Sequence, residues 1–314
     1  VLQRAAEPQA SRLGLSSVAG AGLIATHNFQ GETHMAKKKE YTCVLVETDG
    51  EGITWITFNR PEKRNAMSPT LHVEMEEILF GLETDEDTKV IVLTGAGNSW
   101  SAGMDLKQYF RETDKDPVGR FRAATAHRRW ATELLTWSRK PSIAMVNGYC
   151  YGGAFVSLAA CDIVIAAENA TFGLSEVNWG IIPGGNVSKV FGDMVSYRNA
   201  LFYAMTGRTI DGRKAVELGI ATLSVPAEKL REETVAIARE LMAKSPMVLA
   251  YTKQAIRAVR GMDMDQAYEY LGAKSMALRA ADPEQTRARG MREFLDEKKF
   301  RPGLEPLKRP VSEK

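Results

Sequence analysis

Apolar and polar residues alternate in two runs early in the chain, 41–48 (YTCVLVET) and 52–58 (GITWITF), with Asp49-Gly50 between them. A period of two with β-branched composition predicts strands, and Asp-Gly is a strong turn signal, so a β-hairpin is expected. Asn59-Arg60-Pro61 ends the second strand, and Ser68-Pro69 offers an N-cap followed by proline at the first helical position. Behind it Leu71, Met75, Ile78 and Leu79 recur at helical spacing. Residues 89–94 (KVIVLT), 142–147 (SIAMVN) and 162–166 (DIVIA) run apolar without alternation, as strands buried on both faces of a parallel sheet do. Among them lie a glycine-rich loop from Gly95 to Asp105, a charged helical stretch over 118–138 and a helix from Gly152-Gly153-Ala154 to about Ala160. Strand, turn and helix succeed one another through the first 190 or so residues, which predicts α/β layering. Beyond that the pattern turns almost wholly helical, over 227–244, 247–260 and 264–277. A core over 35–225 and an appended helical region over 226–314 are therefore expected.

Residues 1–34 are unlike the rest. Met35, followed by Lys37, Lys38 and Lys39, reads as the natural start, which makes 1–34 a disordered or non-native extension. The alternative is a targeting segment, since 13–25 is weakly apolar with Arg4 and Arg12 upstream. That stretch is too short and too glycine-rich to span a membrane.

The composition narrows the function classes. Of 314 residues, 44% are hydrophobic and 25% charged, as in ordinary globular proteins. With 41 basic and 39 acidic side chains the net charge is only +2, without the concentrated Lys and Arg of a nucleic-acid binder. Cys43, Cys150 and Cys161 are too few for a disulfide framework, which favours a reducing, cytoplasmic setting. No His/Cys cluster has metal-ligand spacing, so no metal is expected.

Three segments couple glycines to polar residues where a strand hands over to a loop or helix: 101–106 (SAGMDL), 147–154 (NGYCYGGA) and 170–180 (ATFGLSEVNWG), the last followed by Pro183-Gly184-Gly185. Small residues at such places leave backbone N–H groups bare, and those of Met104 and Gly153 can converge on one oxygen that gains negative charge. Each stretch alone is also explained by a tight turn that needs glycine. Glu176 is the acid in this glycine- and aromatic-rich setting. Desolvation there raises a carboxyl toward the range useful for general acid–base work, although a helix-start carboxylate satisfied by backbone N–H groups is the plainer alternative.

Taken together, these segments resemble the enoyl-CoA hydratase/isomerase (crotonase) superfamily over about residues 40–300. The motifs Asn59-Arg60-Pro61 with Asn65-Ala66-Met67, AGMD, NGYCYGGA and TFGLSEVNWGIIPGG stand in the family's order and spacing. Within it the chain is most similar to the hydroxycinnamoyl-CoA hydratase-lyases, through 60–71 (RPEKRNAMSPTL), 101–112 (SAGMDLKQYFRE), 172–181 (FGLSEVNWGI) and 294–304 (FLDEKKFRPGL). The resemblance implies a spiral of ββα turns and a C-terminal helical region used in trimers, with hexamers as dimers of trimers. It implies a CoA-thioester substrate, no cofactor beyond that CoA, and no nucleic-acid or membrane partner.

It also implies residue roles. Met104 and Gly153 fall at the oxyanion-hole positions. Lys63 and Arg64 fall where the family meets the CoA phosphates and adenosine, with Ala66, Ala102, Asp105 and Leu106 in the same CoA-binding set. Phe294 and Lys298 lie where a neighbouring subunit closes over the CoA. Tyr109 matches a tyrosine that holds the substrate's phenolic oxygen, and Trp179 joins it at the substrate. The second such tyrosine of the subfamily is Gly272 here, which leaves Tyr268 or Tyr270 to take its place. Where two-glutamate hydratases carry their first glutamate, this chain has Val156, so Glu176 works alone; the adjacent Ser157 points about 100° away around a helix.

The implied reaction is hydration of a 4-hydroxycinnamoyl-CoA thioester, followed by retro-aldol cleavage to a hydroxybenzaldehyde and acetyl-CoA. The alternatives are another crotonase-type reaction, such as plain hydration or isomerisation, and a non-catalytic crotonase-like binding protein.

Overall fold

The computed structural model describes residues 40–299. The expected extension over 1–34 lies outside the described residues. β1 (Val44–Thr48) and β2 (Ile53–Phe58) form the hairpin, in antiparallel register from Val44 opposite Phe58 to Thr48 opposite Thr54. Asp49 Oδ1 accepts from the N–H groups of Glu51, Gly52 and Ile53 at 2.9, 3.0 and 3.0 Å, so the side chain itself closes the turn. In α1 (Pro69–Thr84) Ser68 Oγ caps the Leu71 N–H at 3.2 Å, and Leu71, Met75, Ile78 and Leu79 are buried as the periodicity predicts, with Leu82 buried beyond them. Glu74 on the same helix ties down the start of the hairpin by accepting from the Thr42 and Cys43 amides, each at 2.8 Å.

The chain then winds in repeating turns, and each turn lays one strand into each of two sheets. The first contributes β3 (Val90–Gly95) and β4 (Ser99–Ser101). Next comes a helical rod of α2 (Pro117–Arg128), π-helical turns over 129–134 and α3 (Leu135–Trp137). The second turn contributes β5 (Ser142–Val146), β6 (Tyr149–Tyr151) and α4 (Ala154–Ala160), and the third β7 (Ile163–Ala167) and β8 (Thr171–Gly173). Beyond these lie α5 (Val187–Met194), α6 (Tyr197–Thr206), β9 (Thr209–Asp211), α7 (Gly212–Glu217) and β10 (Leu223–Val225). The large sheet has the order β1-β2-β3-β5-β7-β10 and the small one β4-β6-β8-β9. Pairing is parallel except for β1 with β2 and β8 with β9. This is the spiral of turns that the resemblance implies.

Two expectations need correction. The glycine-rich loop from Gly95 to Asp105 contains a strand, β4, and the turn at Asn147-Gly148 leads directly into another, β6. The stretch beyond residue 190 is not almost wholly helical, because β9 and β10 extend both sheets. All four are three residues long, too short for a period to show.

The C-terminal helices are α8 (Leu230–Met242), α9 (Pro246–Val259), α10 (Met264–Ala281) and α11 (Thr286–Met291). α8 buries Leu230, Thr234 and Ala238 and packs against β3, β5 and β7. α9 is anchored by Lys253 and Arg257, whose cations reach Asp162 at 2.9 and 2.8 Å. α10 packs on α9 and buries none of its own residues within the chain. None of the helices among the described residues is long and apolar enough to cross a membrane.

Candidate active site

Met104, Gly153 and Glu176 come just after β4, β6 and β8, which are adjacent parallel strands of the small sheet. Their carboxyl ends therefore open side by side, the usual place for a ligand in parallel α/β layers. Gly103 has φ 85°, and a Cβ there would fall 2.5 Å from the Tyr151 carbonyl oxygen and 3.1 Å from the Gly153 nitrogen. A Cβ on Gly153 would fall 2.9 Å from Met104 Cγ and 3.5 Å from the Met104 nitrogen. Glycine is thus what lets the two loops close on one another.

Met67 pairs with Met104 as an isolated parallel bridge: the Met67 N–H donates to the Gly103 carbonyl at 2.7 Å, and the Asp105 N–H donates to the Met67 carbonyl at 3.0 Å. The Met104 N–H is directed away from that partner, as alternate amides along an extended strand are. Among the described residues neither it nor the Gly153 N–H donates to another group. Asp105 holds the loop in place. Its Oδ1 caps the following π-helical turns through the Lys107 and Gln108 amides at 3.1 and 2.9 Å, while Oδ2 pairs with Arg60 at 3.0 Å. Burial alone would raise this carboxyl, but the Gln108 amide and Arg60 outweigh it and hold it below its ordinary value.

Glu176 opens a short 3-10 turn, Glu176–Trp179, just after β8. A Cβ on Gly152 would fall 2.9 Å from Glu176 Oε1, so the carboxyl leans over the Gly152-Gly153 turn. Its other oxygen, Oε2, is buried with no hydrogen-bond partner among the described residues. Burial raises its pKa above the ordinary carboxylate value. The helix-start alternative, a carboxylate satisfied by backbone N–H groups, would lower it instead.

These groups share one cavity of about 860 Å³. Of the residues anticipated from the sequence, Arg64, Ala102, Met104, Leu106, Tyr109, Gly153, Glu176 and Trp179 line it. Tyr109 is half-buried, and burial pushes its phenol above the ordinary value. Lys63 and Ala66 lie on the adjoining 60–67 segment without reaching the wall, and Asp105 is spent on the cap and the ion pair. Tyr268 and Tyr270 on α10 do not line this chain's cavity, Tyr268 being 80% exposed. Phe294 and Lys298 also lie outside it.

Glu176 is the only carboxylate lining the cavity among the described residues. Val156 is buried in the core, and the Ser157 hydroxyl donates to the Ala154 carbonyl at 3.0 Å, so neither faces the cavity.

The cavity wall also includes Tyr149, Tyr151, Phe110 and His127, which the sequence reading does not single out. Tyr149 and Tyr151 stand two apart on β6 and so share a face, with ring centroids 5.9 Å apart. That period-two pair was the available signal. His127 carries none, because nothing in α2 marks which side chain meets the cavity.

Residues 48–302 match the enoyl-CoA hydratase/isomerase family. The chain is 49% identical over 267 residues to the hydroxycinnamoyl-CoA hydratase-lyase of Pseudomonas fluorescens, covering 85% of this chain and 96% of that one. Its fold is similar to that of the enoyl-CoA hydratase from Bacillus anthracis, with TM-score 0.73 and 28% identity over 82% of this chain and 97% of the other. It is also similar to the human enoyl coenzyme A hydratase domain-containing protein 3, with TM-score 0.74 and 26% identity over 82% and 98%. The match over most of its length, together with the spiral of paired strands, shows that this chain belongs to the enoyl-CoA hydratase/isomerase family.

Proposed function

We propose that the protein is a lyase that hydrates a 4-hydroxycinnamoyl-CoA thioester and then cleaves it to a hydroxybenzaldehyde and acetyl-CoA. The observation that carries this reading is one partnerless carboxyl oxygen on Glu176, beside two unspent amides, in a cavity that also holds a half-buried tyrosine.

The thioester oxygen takes the amides of Met104 and Gly153, so enolate charge is stabilised as it forms. Glu176 removes a proton from water as the oxygen attacks Cβ, and returns it to Cα to give the β-hydroxy thioester. The same carboxylate then takes the β-hydroxyl proton. The Cα–Cβ bond breaks, the hydroxyl carbon becomes the aldehyde, and the electron pair passes to the acetyl-CoA enolate in the same oxyanion site. Protonation of that enolate carbon by Glu176 completes the cycle. Tyr109 holds the para-oxygen of the ring and favours the electron flow that lets one carboxylate suffice, since Val156 supplies no second.

Arg64, Ala102 and Leu106 flank the CoA arm, and Lys63 meets its phosphates from the outer side of the same segment. An exposed α10 and the position of Phe294 and Lys298 beyond the cavity support a homotrimer or homohexamer, in which these residues and Tyr268 or Tyr270 act on a neighbour's substrate. The three buried, unpaired cysteines support a cytoplasmic setting.

Incubation of the purified protein with feruloyl-CoA tests the reading. Vanillin and acetyl-CoA in equal amounts are expected. Turnover of crotonyl-CoA with no aldehyde from feruloyl-CoA would overturn it in favour of a general hydratase.

A further inference from the structure

Behind Tyr109 lies a row of aromatic rings that the reaction above does not use. His72 on α1 is fully buried, with its ring centroid 5.5 Å from that of Tyr109 and 4.6 Å from that of His127. Trp130 Nε1 donates to His72 Nδ1 at 3.1 Å, which places the His72 proton on Nε2. His127 is 8% exposed and lines the cavity with Tyr109. The Nε2 atoms of both histidines are buried without a hydrogen-bond partner among the described residues. Buried polar nitrogens are ordinarily paired, so two left unpaired on adjoining rings mark an unusual polar spot behind the cavity wall. The cavity wall that His127 joins sets apolar Phe110, Leu106 and Ile182 beside the polar Tyr109, Tyr149 and Tyr151.

Burial lowers His72 well below its ordinary value and His127 to about 4, so both rings are neutral at working pH. A neutral imidazole can accept from a hydroxyl or donate to an ether oxygen, according to its tautomer. An aromatic ring that carries a para-oxygen places a substituent on the neighbouring carbon within about 3 Å of that oxygen, close to an ordinary hydrogen-bond separation. Whatever binds the first oxygen must therefore have the binder of the second beside it.

We propose that His127 is a specificity residue, whose ring nitrogen hydrogen-bonds a hydroxyl or methoxy oxygen at ring carbon 3, next to the para-oxygen held by Tyr109. His72 is its positioning residue, held by Trp130 and packed edge-on against Tyr109 and tilted against His127. The inference rests on the hydroxycinnamoyl reading, but it concerns recognition of the ring and not the bond-breaking step.

The test uses the full chain and two readouts. Calorimetric titration compares 3,4-dihydroxybenzaldehyde with 4-hydroxybenzaldehyde, and kinetics compare caffeoyl-CoA with coumaroyl-CoA. The unsubstituted protein is expected to bind the dihydroxy aldehyde about tenfold more tightly, the worth of one good hydrogen bond. His127→Phe abolishes that preference and lowers the caffeoyl-to-coumaroyl ratio of kcat/KM by a similar factor. His127→Gln, which keeps a donor and an acceptor, retains part of both. An unchanged ratio in His127→Phe, or no preference in the unsubstituted protein, overturns the proposal. A preference in binding with no aldehyde formed from either thioester would support the ring site and remove the lyase reading alone.

Discussion

Glu176 Oε1 leans so closely over Gly152 that a methyl group on that glycine would come within 2.9 Å of it, and Gly152 has φ 51°, in the left-handed region. The carboxyl is the movable partner, because it is the far end of a flexible side chain. Gly152→Ala is therefore expected to displace Glu176 more than it unfolds the chain. Stability falls by about 1–2 kcal/mol, from the left-handed backbone, whereas kcat falls at least about a hundredfold. Thermal melting beside steady-state kinetics checks the split. Equal retention of activity and stability would mean that the carboxyl position is not critical.

Removing the charge while keeping the shape isolates the acid–base role. Glu176→Gln should lower kcat by roughly 10²–10⁴-fold and leave the Kd for a CoA thioester within a few-fold, as loss of one positioned proton carrier does. Fluorescence titration with a thioester and single-turnover product analysis together test it. Activity near that of the unsubstituted protein would rule out the mechanism.

The pH profile follows from the same residue. Glu176 must be ionised to take a proton from water, and burial raises its pKa, so it is protonated to higher pH than an ordinary carboxyl. Hence kcat/KM should fall as pH drops, with its midpoint above the ordinary glutamate value of 4.5. Burial displaces the Tyr109 phenol above its ordinary value, so it stays protonated through neutral pH and adds no limb to the profile there.

Tyr109→Phe should raise KM for phenolic thioesters about tenfold and have little effect on an unsubstituted cinnamoyl-CoA, because only the former loses a hydrogen bond. Parallel assays on the two substrates check it. Equal losses would reduce Tyr109 to a packing role.

The buried histidines make a stability prediction. His127 titrates near 4 in the folded chain against an ordinary value of 6.5, because burial disfavours its charged form. Between those values the unfolded chain binds a proton that the folded chain does not, so the contribution is present above pH 6.5 and is lost as pH falls toward 4. The loss is about 3 kcal/mol from His127, with His72 adding to it in the same direction. Urea titrations at pH 7.0, 5.5 and 4.5 measure it, and His127→Phe should flatten the slope.

Much of the site was legible in the sequence because each part of it is local. A glycine before Met104, the Gly152-Gly153 pair and a carboxyl in a glycine- and aromatic-rich stretch all declare themselves within a few residues, and the resemblance ties them to one reaction. The hairpin, the capped α1 and the uninterrupted apolar strands were legible for the same reason, since turn chemistry, capping and periodicity act over one or two turns of chain. Asp105 shows where such reading ends. Its place in the motif does not reveal that its oxygens cap the next turns and bind Arg60, a partner 45 residues away.

What the chain alone determined, then, is which residues carry chemistry and which runs are buried. Only the tertiary structure decided that β4, β6 and β8 lie side by side, because three-residue strands have no period of their own and exist through the neighbours they pair with. That pairing brings Met104, Gly153 and Glu176 into one cavity. Packing likewise turned Val156 and Ser157 into the core and set His127 in the same cavity wall as Tyr109, since the direction of a side chain on a helix depends on what the helix packs against and not on its own letters.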